Sequence, residues 1–374
     1  MTIASTIAGS LPKPRWLASP DQLWAEWIHD DETRAEAQRD AVRLAVLMQE
    51  GAGIEIISDG EQTRRHFVTT FIEGLDGVDA TNRETITIRR RYQASVPRVI
   101  GALERTRPVF LDAAQELRRA TDHAIKFTLP GPMTMVDTLA DHHYRDREEI
   151  AMVCADILNQ EALDLVAAGI DVIQFDEPAF NVFLDEVADW GVSALELAAA
   201  GLSATTAVHI CYGYGIQANI EWKQGLGPEW RQYEVTFPLL AESSIDQVSM
   251  EVAGSRVPLE VLDLLGDKVV QAGVIDVATE AVETPEQVAA ELERILEHLP
   301  PSRIVASTNC GMVPLPRPVS EAKLIALGAG ADLARSRLLG RLQPESSYVL
   351  NPALVGHDDV EAETLKNPGG DRRP

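Results

Sequence analysis

The chain has 374 residues, 45% of them apolar, and carries 33 basic against 58 acidic side chains for a formal net charge of −25. That length fits two average domains or one α/β barrel with long connections, and the apolar content is enough for a large core. The acidic balance argues against nucleic acid and anionic membranes as partners, since both need a basic surface.

Three cysteines, Cys154, Cys211 and Cys310, are too few and too odd a set for a disulfide framework, and they fit a reducing, cytoplasmic setting. The opening segment MTIASTIAGSLPKP has neither a basic start nor a long apolar run, so no signal peptide is expected. No stretch approaches the roughly 18 uninterrupted apolar residues that read as a membrane span.

Taken in chain order, strand-like runs alternate with helix-like runs. A strand over 3–9 ends at Ser10. Ser19-Pro20-Asp21 opens a helix carrying Trp24 and Trp27 that stops at Gly51. A strand over 54–60 delivers Asp59 and Glu61. The segment 84–103 breaks the alternation. Thr85-Ile86-Thr87-Ile88 has a period of two, runs into Arg89-Arg90-Arg91, and is followed by a second β-rich piece, so it reads as a hairpin-like insertion. A strand over 125–131 meets the turn Gly131-Pro132-Met133-Thr134. Asp146 starts a helix with an apolar face at Ile150, Cys154, Ile157, Leu158 and Leu165, closed by Gly169.

Strands over 171–177, 207–212, 246–252, 269–276 and 303–309 end at Asp176-Glu177, His209 and Cys211, Glu251, Asp276, and Asn309-Cys310-Gly311. Before the last of them, Thr284-Pro285-Glu286-Gln287 has the form of a capping box with Pro at the first helical position. Several strands are continuous Val/Ile runs, as expected where both faces of a parallel sheet are covered. Eight alternations predict a (β/α)8 TIM barrel as a single catalytic domain over 1–342. The Pro-, Gly- and charge-rich tail over 343–374 reads as flexible.

Barrel enzymes take their catalytic residues from the C-terminal ends of several strands. His209, Cys211, Glu251 and Cys310 all lie at such ends. His209 and Cys211, two apart on one strand, project to one face. Thiolate and imidazole suit zinc, and a carboxylate makes a replaceable fourth ligand. Taken singly, each residue has a plainer reading: a buried cysteine is usually a small core hydrophobe, as expected for Cys154.

Asp176 and its neighbour Glu177 suit a cationic group such as an amino-acid ammonium, with Glu61 as a second carboxylate. The plainer reading is a salt bridge from Glu61 to Arg64 or Arg65. Ala8-Gly9-Ser10 offers backbone N–H groups and a hydroxyl to a carboxylate. His142-His143 point different ways and chelate one ion poorly, so a loop or surface role is expected. Trp222 and Trp230 are expected to pack on the barrel rim rather than to form a lid.

The motifs Asp59-Gly60-Glu61, Leu129-Pro130-Gly131-Pro132, Asp176-Glu177-Pro178-Ala179, His209-Ile210-Cys211-Tyr212 and Asn309-Cys310-Gly311 together resemble the catalytic barrel of the zinc-dependent, cobalamin-independent methionine synthases. The resemblance runs from about residue 3 to about residue 339. It implies a methyltransferase that moves a methyl group to the thiol of homocysteine. It further implies His209, Cys211, Glu251 and Cys310 as Zn2+ ligands, with Glu251 and Asp176 as catalytic groups. Asp176 and Glu61 would sit on the homocysteine amine and Ser10 near its carboxylate.

The chain departs from the two-barrel members of the family, which have an additional N-terminal barrel. Thr138 stands where they stack the folate on a Trp, and Ala278 where they use a proton-donating His. It is more similar to the single-barrel core enzymes. The methyl donor is therefore left open among a folate, methylcobalamin and a methyl-carrier or accessory protein, with poor turnover expected on free methyltetrahydrofolate.

The chemistry agrees with the residues. A free thiol with a pKa near 8.5 is mostly protonated at neutral pH, and coordination to Zn2+ removes that proton. Two thiolates and a neutral imidazole bring the metal unit to zero charge, so exchanging Glu251 for a substrate thiolate conserves charge. Two alternatives share the scaffold. An epoxyalkane–coenzyme M transferase would use a sulfonate thiol that needs no ammonium site. A non-catalytic zinc-binding barrel would hold the metal without binding a substrate thiol.

Overall fold

The computed structural model describes residues 3–19, 24 and 26–340. The expected tail over 343–374 lies outside them. In chain order the strands are β1 (Ala4–Ser5), β2 (Ile56–Ser58), β3 (Asp76–Ile88), β4 (Tyr92–Glu104), β5 (Ala124–Pro130), β6 (Ala140–Asp141), β7 (Val172–Asp176), β8 (Thr205–Ile210), β9 (Gln247–Glu251), β10 (Val269–Ile275) and β11 (Ile304–Thr308).

Eight of these form one sheet in the order β1-β11-β10-β9-β8-β7-β5-β2, every pairing parallel. The two edge strands approach each other through Glu55 N–H to Ser5 O (3.3 Å), Thr6 Oγ1 to Ile56 O (2.9 Å) and Leu11 N–H to Gly60 O (3.0 Å), which brings the sheet round to a nearly closed barrel. This is the (β/α)8 barrel expected from the alternation.

The strands form where they do because their residues are apolar on the side that meets the helices. On β7, Ile173 and Phe175 are fully buried, while Gln174 and Asp176 alternate to the other face. The lumen side is polar: Lys126 on β5 reaches Gln271 on β10 across it, at 3.0 Å.

The helix over Arg147–Ala167 is capped by Asp146, whose side chain accepts from the N–H groups of Glu148 and Glu149, and Gly169 follows at φ +96°. The capping box at Thr284 and Gln287 is present on both sides. Cys154 is buried in the helix–sheet layer.

Two expectations need correction. The first described helix runs Asp31–Gly51, so Trp27 precedes it, while Pro20 and Asp21 of the expected start lie outside the described residues. Ahead of it, Ala18 bridges Trp27 in antiparallel fashion, and Asp30, accepting from Thr33 N–H at 3.1 Å, is the true cap. The insertion is also longer than 84–103. β3 and β4 form an antiparallel hairpin from Asp76 to Glu104, and β6 adds to β4 in parallel. The first half of β3 is polar and not alternating, so it is a strand only because β4 pairs with it.

The hairpin tip carries Arg89 and Arg90 at φ +49° and +53°, a left-handed turn without the usual glycine. It is tied down where Arg89 N–H donates to both Asp137 carboxylate oxygens at 3.2 and 3.0 Å. Among the described residues, no helix is long and apolar enough to cross a membrane.

Candidate metal and substrate site

At the C-terminal mouth of the barrel, β8 delivers His209 and Cys211 and the loop after β11 delivers Cys310. Their nitrogen and sulfur donor atoms all lie within 4.8 Å of one another, and the two sulfurs are 3.5 Å apart. His209 Nδ1 shares a 2.8 Å hydrogen bond with Ser249 Oγ on β9. Its Nε2 is buried with no hydrogen-bond partner.

A buried imidazole nitrogen without a partner, next to two thiols, is a donor set suited to a soft cation. Ser249 orients the ring from behind as partners of metal-bound histidines do. Without a cation, the sulfur-to-sulfur hydrogen bond from Cys310 holds the Cys211 thiol well below its usual range despite burial, with His209 assisting. Burial works against charge on His209, yet the Cys211 thiolate lifts it above the ordinary imidazole range.

Glu251 adjoins this group without joining it. It is fully buried. One carboxylate oxygen accepts from Tyr212 N–H at 2.5 Å and the other from Tyr214 O–H at 2.6 Å. Burial, then the Cys211 charge, push it up to about 7. So the structure clusters three of the four expected donors and places the fourth beside them with both oxygens engaged.

On the neighbouring strand β7, Asp176 is in register with His209. Gln174 Nε2 donates to its Oδ1 at 2.8 Å. Burial pushes Asp176 up to about 7, with His209 pulling it down and Glu61 pushing it up. Glu61 stands at φ +56°, a strained conformation for a side-chain-bearing residue that persists where the surroundings over-determine it. Its N–H donates to Asp59 Oδ1 at 3.0 Å, and its Oε1 accepts from Thr128 Oγ1 at 3.1 Å.

Arg64, sandwiched between the rings of Phe110 and Phe127, lies 3.9 Å from the same Glu61 oxygen. The plainer salt-bridge reading of Glu61 therefore holds alongside its place in the cavity wall. Two glycines make the wall possible. A Cβ on Gly9 would come within 2.6 Å of Glu61 Oε1, and one on Gly311 within 2.1 Å of Ser10 Oγ.

Glu177 does not belong to the cavity, which corrects its pairing with Asp176. It turns to the opposite face and accepts from Met133 N–H, Thr134 N–H and Thr134 Oγ1 at 2.9, 2.9 and 2.7 Å. Successive residues of a strand point opposite ways, so only one of the pair can face the mouth.

The cavity holds about 110 Å3 and is walled by Ser10, Glu61, Asp176, His209, Cys211 and Cys310, among others. Several wall residues escaped the sequence reading: Arg89 and Tyr92 from the hairpin, and Lys13, Trp24 and His66 from the loops after β1 and β2. Three consecutive arginines at a hairpin tip were the available signal. Arg91 donates to Tyr212 O (2.9 Å) and Asn219 Oδ1 (3.2 Å) and stacks on Trp222, tying the hairpin to the far rim. Trp222 and Trp230 both pack against Tyr212, as expected for rim residues.

His142 meets Glu84 at the surface and takes no part in the site. Thr138 is buried at the end of the helix Pro132–Asp137, and Ala278 is exposed. Neither residue lines the cavity.

Comparison with known proteins agrees with this geometry. Residues 3–332 match the family model described as cobalamin-independent synthase, catalytic domain. A methionine synthase of Saccharolobus solfataricus is 30% identical over 340 residues, covering 90% of this chain and 96% of the relative. The structure of a B12-independent methionine synthase from Shewanella sp. W3-18-1, in complex with selenomethionine, superposes with a TM-score of 0.90 at 54% identity, covering 91% of this chain and 100% of that one. A putative vitamin-B12 independent methionine synthase from Listeria monocytogenes, at 18% identity and a TM-score of 0.66 over 89% of this chain and 98% of that one, shares the fold. With residues 3–332 matched by the family model and about nine-tenths of the chain covered by these relatives, the chain belongs to the cobalamin-independent methionine synthases, methyltransferases that form methionine from homocysteine.

Proposed function

We propose that this enzyme activates homocysteine at a Zn2+ held by His209, Cys211 and Cys310, with Glu251 as the exchangeable fourth ligand. The observation that carries the reading is the unpartnered His209 Nε2, buried beside two thiols 3.5 Å apart. Bound there, Zn2+ supplies the deprotonation of a thiol at neutral pH.

The chain's own residues do the rest. Asp176 and Glu61 accept the substrate ammonium, and Ser10 lies toward its carboxylate. Tyr212 N–H and Tyr214 O–H hold the Glu251 carboxylate beside the three donors, so its charge would keep hydrogen-bond partners whether or not it ligated a bound Zn2+. The narrow cavity orients the nucleophilic sulfur toward the incoming methyl group. A relative of 54% identity solved with selenomethionine supports a methionine-shaped pocket.

For the donor, Thr138 and Ala278 replace the family's folate-stacking Trp and proton-donating His. We therefore assign poor turnover with free methyltetrahydrofolate and use of another methyl carrier. The test is a zinc-loaded preparation given homocysteine. One zinc per chain, one added sulfur neighbour in the zinc X-ray absorption spectrum and release of about one proton are expected. An unchanged sulfur count at saturating homocysteine overturns the zinc reading. Rapid methionine formation from methyltetrahydrofolate alone, set beside methylcobalamin and a methylated corrinoid protein, overturns the donor reading.

A further inference from the structure

One buried cation takes no part in the chemistry above. Lys126, on β5, is fully buried inside the barrel. Its Nζ donates to Gln174 Oε1 at 2.7 Å and to Gln271 Oε1 at 3.0 Å. Gln174 then turns its Nε2 upward, donating to Asp176 Oδ1 at 2.8 Å and to Ala8 O at 2.6 Å. Gln271 likewise turns its Nε2 to Gln247 Oε1 at 2.8 Å.

A lysine ammonium only donates, so it fixes which end of each amide faces it. With Oε1 held from below and Nε2 held from above, the Gln174 amide has no rotational freedom left. An ammonium in a barrel core is costly compared with an apolar residue of similar size, and burial draws Lys126 down to about 7 against the pull of Asp176 and Glu61. A methionine would fill the space without that cost. It would supply neither the clamp on the amide nor positive charge beneath the two carboxylates.

We propose that Lys126 is a positioning residue for recognition of the substrate amine, acting through Gln174 to hold Asp176 in place for the ammonium. The assignment rests on the reading of Asp176 as the amine site. It differs from a packing role in a checkable way, because the relay matters only to a substrate that has an amine.

Two variants of the zinc-loaded full chain test it. Lys126→Met removes the clamp. Gln174→Glu keeps an acceptor for Lys126 but sets an acceptor against Asp176 in place of the donor. Each is titrated with homocysteine and with 4-sulfanylbutanoate, which keeps the thiol and carboxylate and lacks the amine. Loss of a charge-assisted contact corresponds to roughly tenfold or more in affinity. Homocysteine binding is expected to weaken by about that factor in both variants. KM should rise while kcat changes by less than about threefold, and binding of the desamino thiol should stay within about twofold.

Equal losses for the two thiols, or no loss for homocysteine in either variant, overturn the proposal. Should Lys126→Met fail to fold, Gln174→Glu decides alone. If the unaltered enzyme does not bind homocysteine at its zinc at all, the reading beneath falls first, a result distinct from a relay that fails in an enzyme that does bind.

Discussion

On the β8–β11 side of the mouth, three donors meet at strand ends, and beyond the sulfur–sulfur contact the hydrogen bond to a donor side chain comes from Ser249 to His209. On the β1–β7 side, two carboxylates depend on far more. Glu61 needs a left-handed backbone, the Thr128 hydroxyl and a side-chain-free Gly9, and Asp176 needs Gln174, with Lys126 beneath. A soft donor set requires only that its atoms converge, since the cation then organises them. A site for an ammonium must instead hold like charges close together in a buried place, so the fold has to do the organising. Damage on the first side should therefore remove the metal and leave the fold. On the second, one change should lose substrate and its neighbour should lose stability.

The largest effect is expected at the thiols. Cys211→Ser or Cys310→Ser should lose zinc and activity together, by about a thousandfold or more in kcat/KM, because a hydroxyl is a poor soft ligand. Glu251→Gln should keep most of the metal, since three strong donors remain. Metal analysis of the purified variants beside steady-state rates checks both, and a metal-free Glu251→Gln protein would place that residue among the structural ligands.

The adjacent acids come next. Asp176→Asn should weaken homocysteine binding roughly ten- to a hundredfold with zinc content and stability nearly unchanged. Glu177→Gln should do the reverse. Its amide would set an N–H against the donors at Met133 and Thr134, at a cost of about 1–3 kcal/mol in unfolding free energy, with homocysteine affinity within a few-fold. Denaturant melts and binding titrations on the pair make the test. If both lose affinity equally, the two acids do not divide as the structure shows.

The most gradual effect is a pH slope on the Glu61 side of the mouth. His66 stacks on Trp24 at 4.5 Å. Its unprotonated Nδ1 accepts from the N–H groups of Val68 and Thr69 at 3.4 and 3.3 Å. Burial, with Arg89 adding to it, depresses His66 from an ordinary 6.5 to about 3. The unfolded chain therefore takes up the proton first. Stability from this residue is complete above about pH 6.5 and declines as pH falls toward 3, by at most about 1.4 kcal/mol per unit. His66→Gln should reduce that slope when unfolding is followed from pH 7 to pH 5. An unchanged slope would assign it to other groups.

Much of the barrel was legible beforehand. Strands such as β7 and β11 begin and end within a residue or two of the expected spans, because every second residue, such as Ile173 and Phe175 or Ile304 and Ala306, is apolar and buried. β1 was less so. The ladder's last bond is Thr6 N–H to Ala306 O at 2.9 Å, and Ala8 N–H then turns to the Thr308 hydroxyl at 3.0 Å. Trp27, expected in a helix, instead bridges Ala18, and bridges depend on partners that local sequence does not show.

At the mouth, residue type determined the side where His209, Cys211 and Cys310 meet. A histidine and two cysteines at strand ends of one barrel have little else to do together, whatever the details of packing. Carboxylates carry no such identity. Asp59, Glu61, Asp176 and Glu177 all stand at strand ends, yet Asp59 receives Glu61 N–H and faces Arg64 while Glu177 holds a helix start. Only the tertiary structure decided which carboxylates face the cavity, that the arginine tip of the hairpin folds over it, and that Lys126 stands below. The physical reason is that each of these depends on a partner distant in sequence: Gln271 is 145 residues from Lys126 and Tyr212 is 121 from Arg91. Periodicity and residue type report on neighbours along the chain, whereas such contacts exist only once the barrel has closed.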